Sequence, residues 1–255
     1  MTEKVIAYMD MEFGGICGTW QRIKVPVEAG VVIHDEKTGS VRFAGREFTV
    51  PLDVTVWRNV TDELGRTVRK DPCTIGPDGE QTTPGMKRTR LDRAGWRCAA
   101  EISSAVHSDL KRFMAGLDGF GITTLVFFAA DYELTALRQA RVNLTGRVIR
   151  DLQEEIRSAY SQKNPLSLDR LSYITRFTAA DGQFSSRHFR YPVPQDYRGR
   201  LKPHQAVGDA ARIFLASREF SCYTDELEEG IRQYLALCEE CDKKNLSEGT
   251  GRSAP

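Results

Sequence analysis

The apolar positions of the chain fall into strand-like clusters first and helix-like periodicity later. Lys4 to Phe13 (KVIAYMDMEF) opens with Val5, Ile6, Ala7 and Tyr8 and ends with acids on alternate positions, which predicts a buried strand carrying Asp10 and Glu12 at its carboxyl end. Pro26 to His34 (PVEAGVVIH) and Val41 to Val50 (VRFAGREFTV) read as two further strands around a turn at Asp35-Glu36-Lys37-Thr38-Gly39, so an antiparallel meander is expected. From Leu52 to Arg93 the pattern weakens into polar sequence punctuated by Gly65, Pro72, Gly76-Pro77-Asp78-Gly79 and Pro84-Gly85. A stretch of that length without periodicity predicts an insertion or a mobile loop.

Periodicity returns at Ala99 to Leu117, where apolar residues at 102, 105, 106, 110, 113 and 114 predict a helix stopped by Gly119 and Gly121. Ile122 to Ala130 (ITTLVFFAA) is a continuous β-branched and aromatic run, as in a parallel strand covered on both faces, and Asp131 to Arg141 reads as the helix that follows. Leu144 to Tyr160 reads as a short strand and a helix, and Ser167 to Phe177 as another short helix. Thr178 to Leu201 is irregular and basic-aromatic. Helices are then expected over His204 to Glu219, after Pro203, and over Asp225 to Lys243. The order of elements predicts one α/β domain over residues 1–243, with a mixed sheet, helices on both faces, insertions at 52–93 and 178–201, and a disordered tail at 244–255.

Composition narrows the function. Lys and Arg number 36 against 35 Asp and Glu among 255 residues, a net charge of +1, which argues against a protein that binds nucleic acid through bulk positive charge. No apolar run approaches the roughly 18 residues of a membrane span, and the polar Thr2-Glu3-Lys4 after Met1 does not resemble a secretory signal. Six cysteines are too few for a disulfide scaffold and are expected as reduced thiols, so the expected compartment is the cytoplasm. Cys238 and Cys241 form a lone C-x-x-C without the further ligands a zinc site needs.

Asp10 and Glu12 are one residue apart on a strand and share a face, where two carboxylates repel unless a proton or a cation joins them; a divalent metal satisfies that arrangement, as does a solvated strand end. Asp131 stands where a strand passes to a helix, which also suits a helix cap. His204 and Asp209 lie five apart, about 140° from each other on the expected helix.

In this order, MDMEF, LVFFAADYELTAL and PHQAVGDAA resemble the three motifs of the DEDDh group of 3′-to-5′ exonucleases, the DnaQ-like family with a ribonuclease H-like fold. PVEAGVVIHDEKTGSV, VIRDLQ around Asp151 and NPLSLDRLS are similar to that family's intervening segments, so the resemblance touches most of residues 4–216. It implies a mixed five-stranded sheet and two Mg²⁺ or Mn²⁺ ions held by Asp10, Glu12, Asp131 and Asp209. It also implies that His204 takes the proton of the attacking water. Four acids with no protein cation among them would gain stability on binding metal. Two departures stand out: Phe13 replaces the usual Thr after the first motif, and the 52–93 stretch is longer than typical.

Substrate contacts are expected from backbone groups around Met11 and Phe13 and from Arg198 and Arg200, in a 187–202 segment that interleaves cations with Phe189, Tyr191 and Tyr197. The same segment suits a solvated loop with packing aromatics. Lys87, Arg88, Arg90, Arg93 and Arg97 form a second basic cluster. The expected partner is a single-stranded 3′ end of either nucleic acid, without base-specific readout; a homodimer or protein partner is left open. The alternatives are a non-catalytic nucleic-acid-binding module of the same fold and an enzyme restricted to dinucleotides and short oligomers.

Overall fold

The structure, a computed structural model, describes residues 4–19, 22–82 and 90–249. Three antiparallel strands, β1 (Val5–Ile16), β2 (Lys24–Asp35) and β3 (Ser40–Glu47), form the expected meander, with Ile6 opposite His34 and His34 opposite Val41. Asp35 closes the β2–β3 turn by accepting from the Lys37 N–H and the Thr38 hydroxyl, both at 2.9 Å.

Beyond β1 the sheet continues in parallel through β7 (Thr124–Phe127), buried at every residue, and β8 (Val148–Asp151). β1 is longer than its apolar run suggests. Its end, Gly14 to Ile16, pairs with β4 (Val54–Thr61), which continues antiparallel into β5 (Thr67–Ile75) and β6 (Gln81–Thr82). Residues 54–82 are therefore not a loop but an extension of the sheet, which among the described residues has eight strands rather than five and is mostly antiparallel. The extension leaves no periodicity because it packs against little: in β4 only Val54 and Val56 are buried, and β5 has no buried residue. Backbone pairing holds it, with a tight turn where Asp62 accepts from the N–H groups of Leu64 and Arg66 and pairs with the Arg66 side chain. Lys87 and Arg88 of the second basic cluster lie outside the described residues.

Helices cover both faces, and the alternation of β1 separates them. Ala7, Met9 and Met11 join Val31 and Ile33 beneath α1 (Arg93–Gly116) and α2 (Asp131–Gln139), packing on Ala99, Val106, Leu110, Met114 and Leu137. Ile6 and Tyr8 face the other way. They join Val32 beneath α3 (Leu152–Ala159), α4 (Leu168–Thr175), α5 (Ala206–Cys222) and α6 (Thr224–Gly249), through Leu152, Leu171, Phe214 and Tyr234. The last helix passes its expected end at Lys243 and continues to Gly249, so the tail expected from 244 is helical that far.

The 178–201 stretch is also more ordered than expected. β9 (Thr178–Ala180), β10 (Gln183–Ser185) and β11 (Arg190–Pro192) make a small antiparallel sheet. Its aromatics turn inward: Phe184 meets Tyr191 and Phe43 at 5.5 and 5.3 Å, and Tyr197 meets Phe43 at 5.4 Å. Among the described residues no helix is long and apolar enough to cross a membrane.

Candidate active site

Asp10 and Glu12 continue the even-numbered face of β1, so they point toward α5 rather than toward α1. Asp10 lies opposite Gly30 on β2, and Gly30 lies opposite Gly45 on β3. A Cβ on Gly30 would fall 2.2 Å from the backbone of Ala206 and Val207, and one on Gly45 would fall 2.5 Å from Val207 Cγ2. This glycine pair lets the first turn of α5 seat directly on the sheet beside Asp10. A bulge between Glu12 and Phe13 leaves Glu12 opposite Glu28, a like-charge cross-strand pair.

His204 precedes α5 instead of lying within it. Its φ of 61° is left-handed, which no helical residue adopts, so the expected 140° relation on one helix does not hold. The turn is held by Asp209, whose carboxylate oxygens accept from the His204 N–H at 3.2 and 3.3 Å. Asp209 also accepts from Arg212 Nη1 at 2.8 Å. Arg212 is 3% exposed and binds Asp169 and the Ser172 hydroxyl of α4 through its other nitrogens. Donor atoms of Glu12, His204 and Asp209 all lie within 4.8 Å of one another, the one such group among the described residues.

Asp131 opens α2 as expected, with Ala130 as its cap residue and an exposed side chain. The α2 carboxylate turned inward is Glu133, 7% exposed, whose charge acts on both Asp10 and Glu12. The corner that positions α2 is braced from the neighbouring strand. Asp151, at the end of β8, accepts from the N–H groups of Ala129 (3.1 Å) and Ala130 (2.9 Å) while capping α3 through Gln153 and Glu154. Ala129 is held at a φ of 61° by this brace. Glu133 left a signal in the sequence: residues 133, 136, 137 and 140 share the helix face that is buried, and a carboxylate in an apolar stripe asks for a partner.

The cluster is electrostatically loaded. Burial raises the Asp10 carboxyl well above the usual range, and Asp209, Glu12 and Glu133 add to the shift. Glu12 is pushed up to about 8, first by burial and then by Asp209 and Glu28. Burial takes Glu133 to about 7, and burial raises Asp209 even though Arg212 opposes it. Arg212 corrects the expectation of a site with no protein cation, although it is shared with Asp169. Without a further cation these carboxylates favour protons; oxygen donors gathered in this way suit Mg²⁺ or Mn²⁺.

The expected substrate groups divide. Met11 sends its side chain into the core on the α1 side, so only its backbone is available to a substrate at the acids. Phe13 packs 6.0 Å from the ring of Tyr132, which is 59% exposed, and Lys24 Nζ sits 4.4 Å from the same ring. Arg200 reaches the border of the cluster, 4.0 Å from Glu28 and 3.7 Å from Glu47. Arg198 instead lies against Gly182 at a small cavity bounded by Val193 and Lys202. Compared with known protein families and with curated proteins, the chain matches none.

Proposed function

We propose that the protein is a divalent-metal-dependent 3′-to-5′ exonuclease of the DEDDh type acting on single-stranded nucleic acid. The observation that carries this reading is the grouping of Glu12, His204 and Asp209 within 4.8 Å of one another, with Asp10 and Glu133 near enough for their charges to act on the same cluster and with burial and mutual repulsion raising the carboxyls toward protonation. The strand order β3-β2-β1-β7-β8, antiparallel and then parallel with the acids on the central strand, supports a ribonuclease H-like sheet to which β4, β5 and β6 are added.

Asp10, Glu12, Asp209 and Glu133 would hold two Mg²⁺ or Mn²⁺ ions, Glu133 standing in the place expected of Asp131. Ions bound there would supply charge stabilisation at the scissile phosphate and a water of lowered pKa. His204 would take a proton from the attacking water; its backbone is pinned to Asp209 and its ring lies beside Glu12, which supports that role. Arg212 fixes the Asp209 carboxylate from behind. Phe13 and Tyr132 offer ring surface between the strand end and α2 on which a terminal base can stack. Arg200, at the border of the cluster beside Glu28, would contact the phosphates of a bound strand.

The test is hydrolysis of 5′-labelled single-stranded DNA and RNA with Mg²⁺, Mn²⁺ or EDTA. The proposal expects a ladder shortening from the 3′ end, abolished by EDTA and reduced to a few per cent or less in Asp10→Asn and Asp209→Asn. Cleavage that persists in EDTA, or full activity in either variant, would overturn it.

A further inference from the structure

On the α1–α2 side of the sheet a cavity of about 630 Å³ opens between the segment entering β2, the middle of α1 and the end of α2. Arg22, Lys24, Lys111 and Arg141 line it, and among the described residues no carboxylate does. None of these four cations pairs with a carboxylate among the described residues, whereas Arg112, Arg147, Arg150, Arg157 and Arg232 all do. Four like charges around one concavity, in a chain of net charge +1, create a local positive field that an anion would relieve.

His107 adds a second requirement. It lines the cavity and is 6% exposed, and its Nδ1 lies 2.7 Å from the Ser103 carbonyl oxygen. A carbonyl only accepts, so Nδ1 carries the proton, and in the neutral ring Nε2 presents a bare lone pair. That Nε2 is buried and has no hydrogen-bond partner among the described residues. Buried acceptors are normally satisfied, so the site calls for a donor.

We propose that this cavity is a second binding site, outside the acid cluster, for a phosphorylated sugar or nucleotide unit. Its phosphate lies among Arg22, Lys111 and Arg141, and one of its hydroxyls donates to His107 Nε2. The cations alone would take any small anion; the unpaired acceptor selects one that carries a hydroxyl. The cavity volume is in the range of small-molecule sites. Lys24 reaches from this wall to the Tyr132 hydroxyl, at 3.4 Å, so the occupant is either a free nucleotide or a nucleotide within a strand that continues past Tyr132. The proposal needs no metal and no hydrolysis, and stands apart from the nuclease reading.

The test is calorimetric titration in EDTA of sulfate, ribose 5-phosphate, AMP and a ten-nucleotide strand into the full chain. Variants are Lys111→Glu/Arg141→Glu, whose positions are exposed, and His107→Leu. Ribose 5-phosphate and AMP are expected to bind more tightly than sulfate, which carries no hydroxyl, to lose at least tenfold in the double variant, and to lose their advantage over sulfate in His107→Leu. A parallel tenfold loss for the strand identifies the strand as occupant; an unchanged strand affinity identifies the free nucleotide. No binding of ribose 5-phosphate at millimolar concentration, or equal binding by the double variant, overturns the proposal. A folded protein that binds AMP in this way yet hydrolyses no strand with Mg²⁺ or Mn²⁺ refutes the nuclease reading alone.

Discussion

The acid cluster and the cation-lined cavity are served by the same sheet and built in opposite ways. The acids sit on rigid elements and are brought together by backbone devices: the Gly30–Gly45 pair beneath α5, the left-handed turn at His204 and the Asp151 brace behind α2. The cations are tips of long side chains around a cavity, with one buried imidazole at its wall. The first arrangement strains the ligand-free fold, because buried like charges have few partners; the second leaves its charges in water. Changes at the acid cluster should therefore alter stability as well as chemistry, and changes at the cavity should alter binding alone.

Arg212 offers the severest test of that contrast. Arg212→Met leaves Asp169 and Asp209 buried without their shared cation and is expected to lower unfolding free energy by about 3–5 kcal/mol, read by urea titration. Lys111→Glu/Arg141→Glu should leave the same titration unchanged within about 0.5 kcal/mol. A collapse of stability in the double variant, with Arg212→Met neutral, would reverse the comparison.

Gly30→Ala comes next. The added Cβ meets the Ala206–Val207 backbone at 2.2 Å, so α5 must lift from the sheet, at an expected cost of about 1–3 kcal/mol with loss of hydrolysis. Gly116→Ala in α1 adds a Cβ into open space and should leave hydrolysis unchanged while raising stability by up to about 1 kcal/mol.

Glu133 and Asp131 sharpen the account of α2. Glu133→Gln removes the buried carboxylate and is expected to cut hydrolysis at least a hundredfold while raising metal-free stability by about 1 kcal/mol at pH 8. Asp131→Asn, at an exposed position, should move stability by less than about 0.5 kcal/mol and hydrolysis by much less than its neighbour. The reverse ranking would return the metal role to Asp131.

The pH slope tests the same cluster without a substitution. Glu12 and Glu133 titrate at about 8 and about 7 in the folded chain and near 4.3 when unfolded, so between these values the folded chain holds more protons. Their contribution is complete below about pH 4.5 and is lost as pH rises through 7 and 8. Metal-free protein should lose stability from pH 5 to 8, and saturating Mn²⁺ should remove that loss. Stability that rises over this interval without metal would contradict the assigned shifts.

The fold was legible where one physical signal dominated. Apolar clusters around a turn marked β1 to β3, a continuous apolar run marked β7, and helical spacing marked α1, because each of these segments packs apolar residues into the core. β4 and β5 left no mark because they bury almost nothing. In the candidate site, Asp10, Glu12 and Asp209 could be picked out by their order along the chain. Arg212 could not, since α5 is buried nearly all round and no stripe tells which way its arginine faces. The His204 turn depends on a hydrogen bond to a residue five positions on, and the aromatics of 187–202 read alike whether they pack inward or meet solvent.

The metal centre is tested by calorimetric titration of the metal-free protein with Mn²⁺ at pH 7, in buffers of different ionisation enthalpy. If Asp10, Glu12, Glu133 and Asp209 form a metal centre held ready by protonation, Mn²⁺ binds with a stoichiometry near two and releases protons, and both signals vanish in Asp10→Asn/Asp209→Asn. Absence of binding, or binding that releases no protons and survives in the double variant, would contradict it.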